Sequence, residues 1–261
     1  LAVFADGRPA AVMRPAVLVF SGLDPSGGAG IAADIQAIAA QGAHALPVVT
    51  ALTVQDHNRV YEIEPVEASM LRRQARVLAA SCDIKAIKVG IPGSRANAEA
   101  IAAVVLRLRE DMPSLPLVLD PVLASGNGDS LSCGDAMAAI GPLLALATVV
   151  VPNLSEARAL AGARFPHLLV TGGHADGPTV VNRWRAEGEW RDYAIEFRAD
   201  AASFHAFRRN AERPEYRIEK RPALHGSGFG LVVEPGRALI ASAGLLLARV
   251  VDRKAYEGGP Q

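Results

Sequence analysis

Short runs of consecutive apolar residues alternate along this chain with longer segments whose apolar positions recur every three or four residues. Ala16-Val17-Leu18-Val19-Phe20 opens the series, and further runs lie at 48–54, 84–89, 117–120, 148–151 and 168–171. Runs of this length bounded by turn residues predict strands. Leu117-Val118-Leu119 and Val149-Val150-Val151 are apolar without interruption, the pattern of strands covered on both faces. Ile31, Ile35 and Ile38 recur at helical spacing up to Gly42, which suits a helix stop. Helical patterns also cover 66–80, 95–110, 134–146 and 154–161. The alternation predicts an α/β fold: a mostly parallel central sheet flanked by helices on both faces.

Ligands of such sheets gather at the carboxyl ends of the strands. Polar residues cluster at the ends predicted here: Asp24, Gln55, Lys88, Asp120, Asn153 and Thr171-Gly172-Gly173-His174. The first strand runs into Ser21-Gly22-Leu23-Asp24-Pro25-Ser26-Gly27-Gly28-Ala29-Gly30, and a helix follows. The order of strand, glycine-rich turn and helix brings main-chain amides to one spot and lets a ligand approach the backbone closely. This turn is neither a Walker A loop, since no Lys follows the glycines, nor a G-x-G-x-x-G fingerprint. Asp34 falls on the apolar face of the helix, between Ile31 and Ile38. A carboxylate there is costly without a partner, and a ligand hydroxyl or amine would be one. Asn153 and Glu156, three residues apart at a helix start, fit two readings: an N-cap with Glu at N3, or a carbonyl and a carboxylate offered to a hard cation.

Length and composition narrow the class. The 261 residues, half of them apolar, suffice for one substantial α/β domain. A formal net charge of zero gives no reason to expect nucleic acid or a membrane surface as partner. Cys82 and Cys133 show no metal or redox spacing, which predicts a reduced, cytoplasmic setting. Residues 1–15 read as an N-terminal extension without a signal peptide's apolar stretch, and no apolar run is long enough to cross a bilayer.

The Asp-Pro-Ser-Gly-Gly-Ala-Gly run together with Asp34 resembles the substrate-binding loop of hydroxymethylpyrimidine/phosphomethylpyrimidine kinases, members of the ribokinase-like superfamily. Thr50-Ala51-Leu52-Thr53-Val54-Gln55, Lys88-Val89-Gly90-Ile91, Leu119-Asp120-Pro121-Val122, Asn153-Leu154-Ser155-Glu156 and Thr171-Gly172-Gly173-His174 resemble further motifs of that family in order. The resemblance spans 16–182 and implies a three-layer ribokinase-like sandwich over 1–261. It implies ATP- and Mg2+-dependent phosphorylation of 4-amino-5-hydroxymethyl-2-methylpyrimidine, and of its monophosphate, in thiamine biosynthesis. On this basis Gly22, Asp34, Gln55, Ile91 and Val122 would bind the pyrimidine alcohol. Asn153, Thr171 and Gly173 would bind the nucleotide, and Asp120 and Glu156 the metal. A homodimer is compatible with the resemblance.

The family closes with His-Gly-Thr/Ser-Gly-Cys-Thr, and this chain has His225-Gly226-Ser227-Gly228-Phe229-Gly230. Gly226, Ser227 and Gly228 retain an anion-binding loop, but Phe229, at the catalytic position, cannot take a proton. One alternative is therefore a pyrimidine- or nucleotide-binding homologue with impaired catalysis; another, because the two ring alcohols are similar, is a pyridoxal-type kinase. The segment 196–224, with seven Lys/Arg against five Asp/Glu, reads as a charged insertion with a helix over 201–212. The tail 231–261 departs from the family, and its Glu234-Pro235-Gly236-Arg237 resembles diaminopimelate decarboxylases.

Overall fold

The structure, a computed structural model, describes residues 14–56, 59–123, 136–171, 179–186, 189–199 and 216–219. In chain order the elements are β1 (Ala16–Leu23), α1 (Gly30–Ala40), β2 (His44–Gln55), β3 (Val60–Pro65), α2 (Ala68–Ser81), β4 (Ile84–Val89) and α3 (Arg95–Asp111). There follow β5 (Leu117–Leu119), α4 (Ala136–Leu144), β6 (Val149–Val150), α5 (Leu154–Ala159), β7 (His167–Val170), β8 (Thr179–Ala186), β9 (Glu189–Ala199) and β10 (Tyr216–Glu219). One sheet takes all ten described strands in the order β10-β9-β8-β7-β6-β5-β4-β1-β2-β3. The six strands from β7 to β2 run parallel. At the two flanks β3, and β8 with β9 and β10, join antiparallel.

Two apolar layers sandwich the sheet, because successive residues of a strand point to opposite faces. Leu18 and Phe20 of β1 meet α2 and α3 through Leu71, Ala75, Ile101 and Val105. Val17 and Val19 of the same strand meet Ile31 and Ile38 of α1, with Val118, Val149, Leu169 and Trp184 alongside. Helices thus cover both faces, as the uninterrupted apolar strands predict.

The strands that sequence reading missed are the antiparallel ones. β3 alternates apolar and acidic residues, Val60-Tyr61-Glu62-Ile63-Glu64-Pro65, and is an edge strand with no buried residue. β2 is longer than predicted, running back to His44 through Pro47. That proline is tolerated because β3 pairs with β2 only from Ala51 onward, so Pro47 has a ladder neighbour on β1 alone. The stretch read as a charged insertion starts inside β9 and includes β10, so eight of its residues are strand. Its predicted helix over 201–212 lies outside the described residues, as do 221–261.

Candidate active site

After β1 the chain builds β2 and β3 on one side and then crosses to place β4 on the other. In sheets of this kind the ligand crevice lies beyond the carboxyl ends where the order reverses. Gly22 ends one of the two strands concerned, and Lys88 and Gly90 lie at the end of the other. The remaining predicted ends, Gln55, Asp120, Asn153 and Thr171, lie along the same edge because all six central strands share one direction.

Asp34 is buried at 2% exposure on α1, but its partner is not a ligand, as the sequence suggested. Lys88 Nζ donates to Asp34 Oδ2 at 2.7 Å, and the two side chains are 4% and 2% exposed. Two charges that look misplaced separately, one on an apolar helix face and one in a buried strand, answer each other. That complementarity was the available signal for Lys88. Its strand neighbour Lys85 points the other way, is half exposed, and pairs with Asp83.

Gly22 and Ile91 meet because the strand end carries no side chain. A Cβ on Gly22 would lie 2.5 Å from Ile91 Cδ1 and 2.9 Å from its Cγ1. The loop holding Ile91 is tied to β2. Thr50 Oγ1 donates to the Ile91 carbonyl at 2.6 Å, while Asn97 Nδ2 donates to the carbonyls of Thr50 and Pro92, each at 3.0 Å. Sequence reading did not single out Asn97. At the start of α3 it looks like any solvated helix residue, yet it is fully buried. Gln55 is half-buried at the end of β2.

On the other side of Lys88 stand two more carboxylates. Asp120 follows β5, is buried, and has no hydrogen-bond partner for Oδ1 among the described residues. Burial pushes its carboxyl up to about 8. Lys88 opposes that rise, whereas the negative charges of Glu156 and Asp34 add to it. Glu156 is 3% exposed, and burial raises it too, against hydrogen bonds from the Asn153 and Leu123 amides at 2.8 and 3.4 Å. Asn153 Oδ1 accepts from the amides of Ser155 and Glu156 at 2.9 Å, so the pair forms a capping box on α5. Of the two readings of Asn153 and Glu156, the cap is thus present in the fold. Thr171 is buried beside them, its amide bonded to the Pro152 carbonyl at 2.9 Å. Val122, half-buried, lies in the turn between Asp120 and Leu123.

This donor set fits a hard divalent cation. Two buried carboxylates, Asp120 and Glu156, lie close enough for the charge of one to act on the other, and Asp120 Oδ1 has no hydrogen-bond partner among the described residues. Among the described residues no three His, Cys, Asp or Glu side chains gather as a metal cage. Magnesium needs none, since it keeps several waters and is held by one or two carboxylates with substrate phosphates. Gly173 and the loop residues Gly226, Ser227, Gly228 and Phe229 lie outside the described residues. No described helix is long and apolar enough to cross a membrane.

Two family models match different parts of the chain. Residues 179–249 match the model of a protein of unknown function (DUF2794). The chain is 39% identical over 153 residues to the hydroxymethylpyrimidine/phosphomethylpyrimidine kinase of Mycobacterium tuberculosis (H37Rv), covering 58% of this chain and 54% of that protein. It thus spans about half the length of the curated kinases it matches. Among solved structures, the phosphomethylpyrimidine kinase of Clostridium difficile 630 superposes with a TM-score of 0.60 at 27% identity, covering 69% of this chain and 84% of that one. An ADP complex of Bacillus subtilis pyridoxal kinase, 20% identical, shares the fold with a TM-score of 0.62, covering 90% and 84% of the two chains. Residues 24–169, which carry Asp34, Lys88, Asp120 and Glu156, match the phosphomethylpyrimidine kinase model, and the chain belongs to that family.

Proposed function

We propose that the chain phosphorylates 4-amino-5-hydroxymethyl-2-methylpyrimidine, and its monophosphate, with ATP and Mg2+ in the cytoplasm as a step of thiamine biosynthesis. The observation that carries this reading is a run of buried charges at the carboxyl edge of the sheet: Lys88 is paired with Asp34, Asp120 feels Lys88, Asp34 and Glu156, and Glu156 stands at the start of α5. Asp34 and Gln55 orient the pyrimidine: a carboxylate accepts from an amine or hydroxyl, and a carboxamide both donates and accepts in one plane. Gly22, Ile91 and Val122 form the apolar wall. Asp120 and Glu156 hold magnesium, with Asn153, Thr171 and Gly173 on the nucleotide side. Bound there, the cation neutralises charge on the nucleotide phosphates. The backbone of 226–228 receives the transferring phosphoryl oxygens. Phosphoryl transfer depends mainly on positioning and charge stabilisation, so turnover without a side-chain base at 229 is slow rather than absent.

One observation favours a second reading, a binding protein without catalysis. The loop 225–229 lies within the stretch matched by the second family and beyond the kinase match. An ATP-consumption assay with the pyrimidine alcohol against pyridoxal, paired with calorimetry of each ligand, separates the readings. Consumption with the pyrimidine alcohol supports the kinase. Tight binding of it without consumption supports the binding protein. Preference for pyridoxal in both measurements overturns the substrate assignment.

A further inference from the structure

Lys88 enters the buried cluster from β4, a strand whose neighbours β1 and β5 place Val19 and Val118 beside it. Lys88 answers the buried carboxylate of Asp34, but stability alone does not call for the pair. A buried ion pair loses much of its attraction to desolvation, and apolar residues of similar volume often serve as well. Two features of the chain instead keep the charge in one place. Lys88 Nζ lies 2.7 Å from Asp34 Oδ2. Gly90 supplies the space the ammonium occupies: a Cβ there would lie 2.9 Å from Lys88 Nζ and 2.6 Å from Ser21 Oγ.

From this arrangement we infer that Lys88 is a positioning and specificity residue, holding Asp34 in one orientation so that only Oδ1 is presented to a ligand donor. The inference rests on the pyrimidine-alcohol reading of the crevice. With Oδ2 taken by Lys88, Asp34 serves as a pure acceptor of fixed direction. A ligand hydroxyl or amino group that donates along that direction is selected. An analogue lacking it leaves a buried oxygen unsatisfied, which is how polar sites reject near-isosteres. Without Lys88 the carboxyl can rotate, or take up a proton and become a donor, and the discrimination is lost.

The test is calorimetric titration of the whole chain with three probes: the pyrimidine alcohol, its analogue with methyl in place of hydroxymethyl, and its analogue lacking the amino group. In the natural protein, one of the two deletions weakens binding about ten-fold or more. In Lys88→Met, which matches the stem in length but leaves Asp34 without its ion-pair partner, that same deletion costs only about two-fold in the folded variant, and the alcohol itself binds about ten-fold more weakly. Gly90→Ala keeps both charges while its methyl displaces the ammonium, and it should shift the same ratio in the same direction. Thermal unfolding shows which variants are folded. A folded Lys88→Met or Gly90→Ala protein whose analogue ratios equal those of the natural chain overturns the inference and leaves the substrate assignment standing. If the natural chain binds none of the three probes, both fall.

Discussion

Asn153 and Glu156 each bond the other's main chain, side-chain oxygen to amide in both directions, and Glu156 also accepts from the Leu123 amide after β5. The same carboxylate therefore caps α5, ties two strand ends together, and stands beside Asp120. Structure and function overlap on one side chain, and an isosteric change can separate them.

Glu156→Gln keeps a capping-box partner but removes the charge. Its stability should drop by about 1–2 kcal/mol, because Gln serves at N3 nearly as well as Glu but its amide nitrogen cannot accept from the Leu123 amide. Magnesium-dependent ATP affinity, measured by calorimetry, should fall at least about ten-fold, since a hard cation loses an anionic ligand. Asn153→Ala should cost about 1 kcal/mol in denaturant unfolding through the lost cap. Equal ATP affinity in Glu156→Gln and the natural chain would reduce the pair to a cap.

Asp120 predicts a pH dependence of defined sign. Its folded carboxyl titrates at about 8 against an ordinary 3.8, so between these values the folded state binds the proton that the unfolded chain has released. Stability of the cation-free protein should therefore be highest below pH 4, as far as this group is concerned. It should decline as pH rises toward 8, by at most about 1.4 kcal/mol per pH unit. Glu156, also raised by burial, acts in the same direction. Urea midpoints at pH 6 and pH 8 should differ in this sense, and by less in Asp120→Asn, where only Glu156 still contributes. Added magnesium should flatten the slope by favouring the ionised carboxylates.

Gly22→Ala should damage the crevice and spare the fold. The new methyl meets the end of the Ile91 side chain, which can turn aside, rather than backbone. Pyrimidine-alcohol affinity should fall while the unfolding midpoint moves by less than about 1 kcal/mol equivalent. Ile91→Ala in the same chain clears the clash and should recover part of the affinity. A double variant no better than Gly22→Ala would detach Ile91 from the pocket wall.

Phe229→Cys tests the loop that sequence comparison leaves between two families. Were Phe229 the limiting residue of a working phosphoryl site, a smaller and ionisable side chain should raise ATP consumption. General-base assistance typically contributes about 10²–10⁴-fold, so a gain of even ten-fold would be diagnostic. A folded Phe229→Cys protein that binds substrate with no gain favours the binding-protein reading.

The parallel strands and the helices between them were legible because burial on both faces leaves uninterrupted apolar runs and a 3.6-residue period. β3 and β9 were not, since strands exposed on one face or rich in charge carry no such signature. Asp34 and Asp120 stood out as carboxylates at ends or faces where the pattern calls for something else. Their relation to Lys88 was not legible: Lys88 is 54 residues from Asp34 in sequence, and only the crossover from β3 to β4 brings them together. The role of Asn97 was hidden for a similar reason, since the carbonyl it holds on Thr50 is 47 residues away.

Trp184 belongs to β8, within the stretch matched by the second family, yet it is buried against Val149, Val151 and Leu169 of the kinase-family strands and their flanks. The seam between the two sequence families therefore runs through the middle of an apolar layer. An expression fragment ended at residue 171 would strip that layer of its indole and leave β7 with one edge unpaired, an arrangement prone to strand-to-strand aggregation. Engineering of this chain has to cut elsewhere, because the boundary between the two family matches is not a boundary of the folded solid.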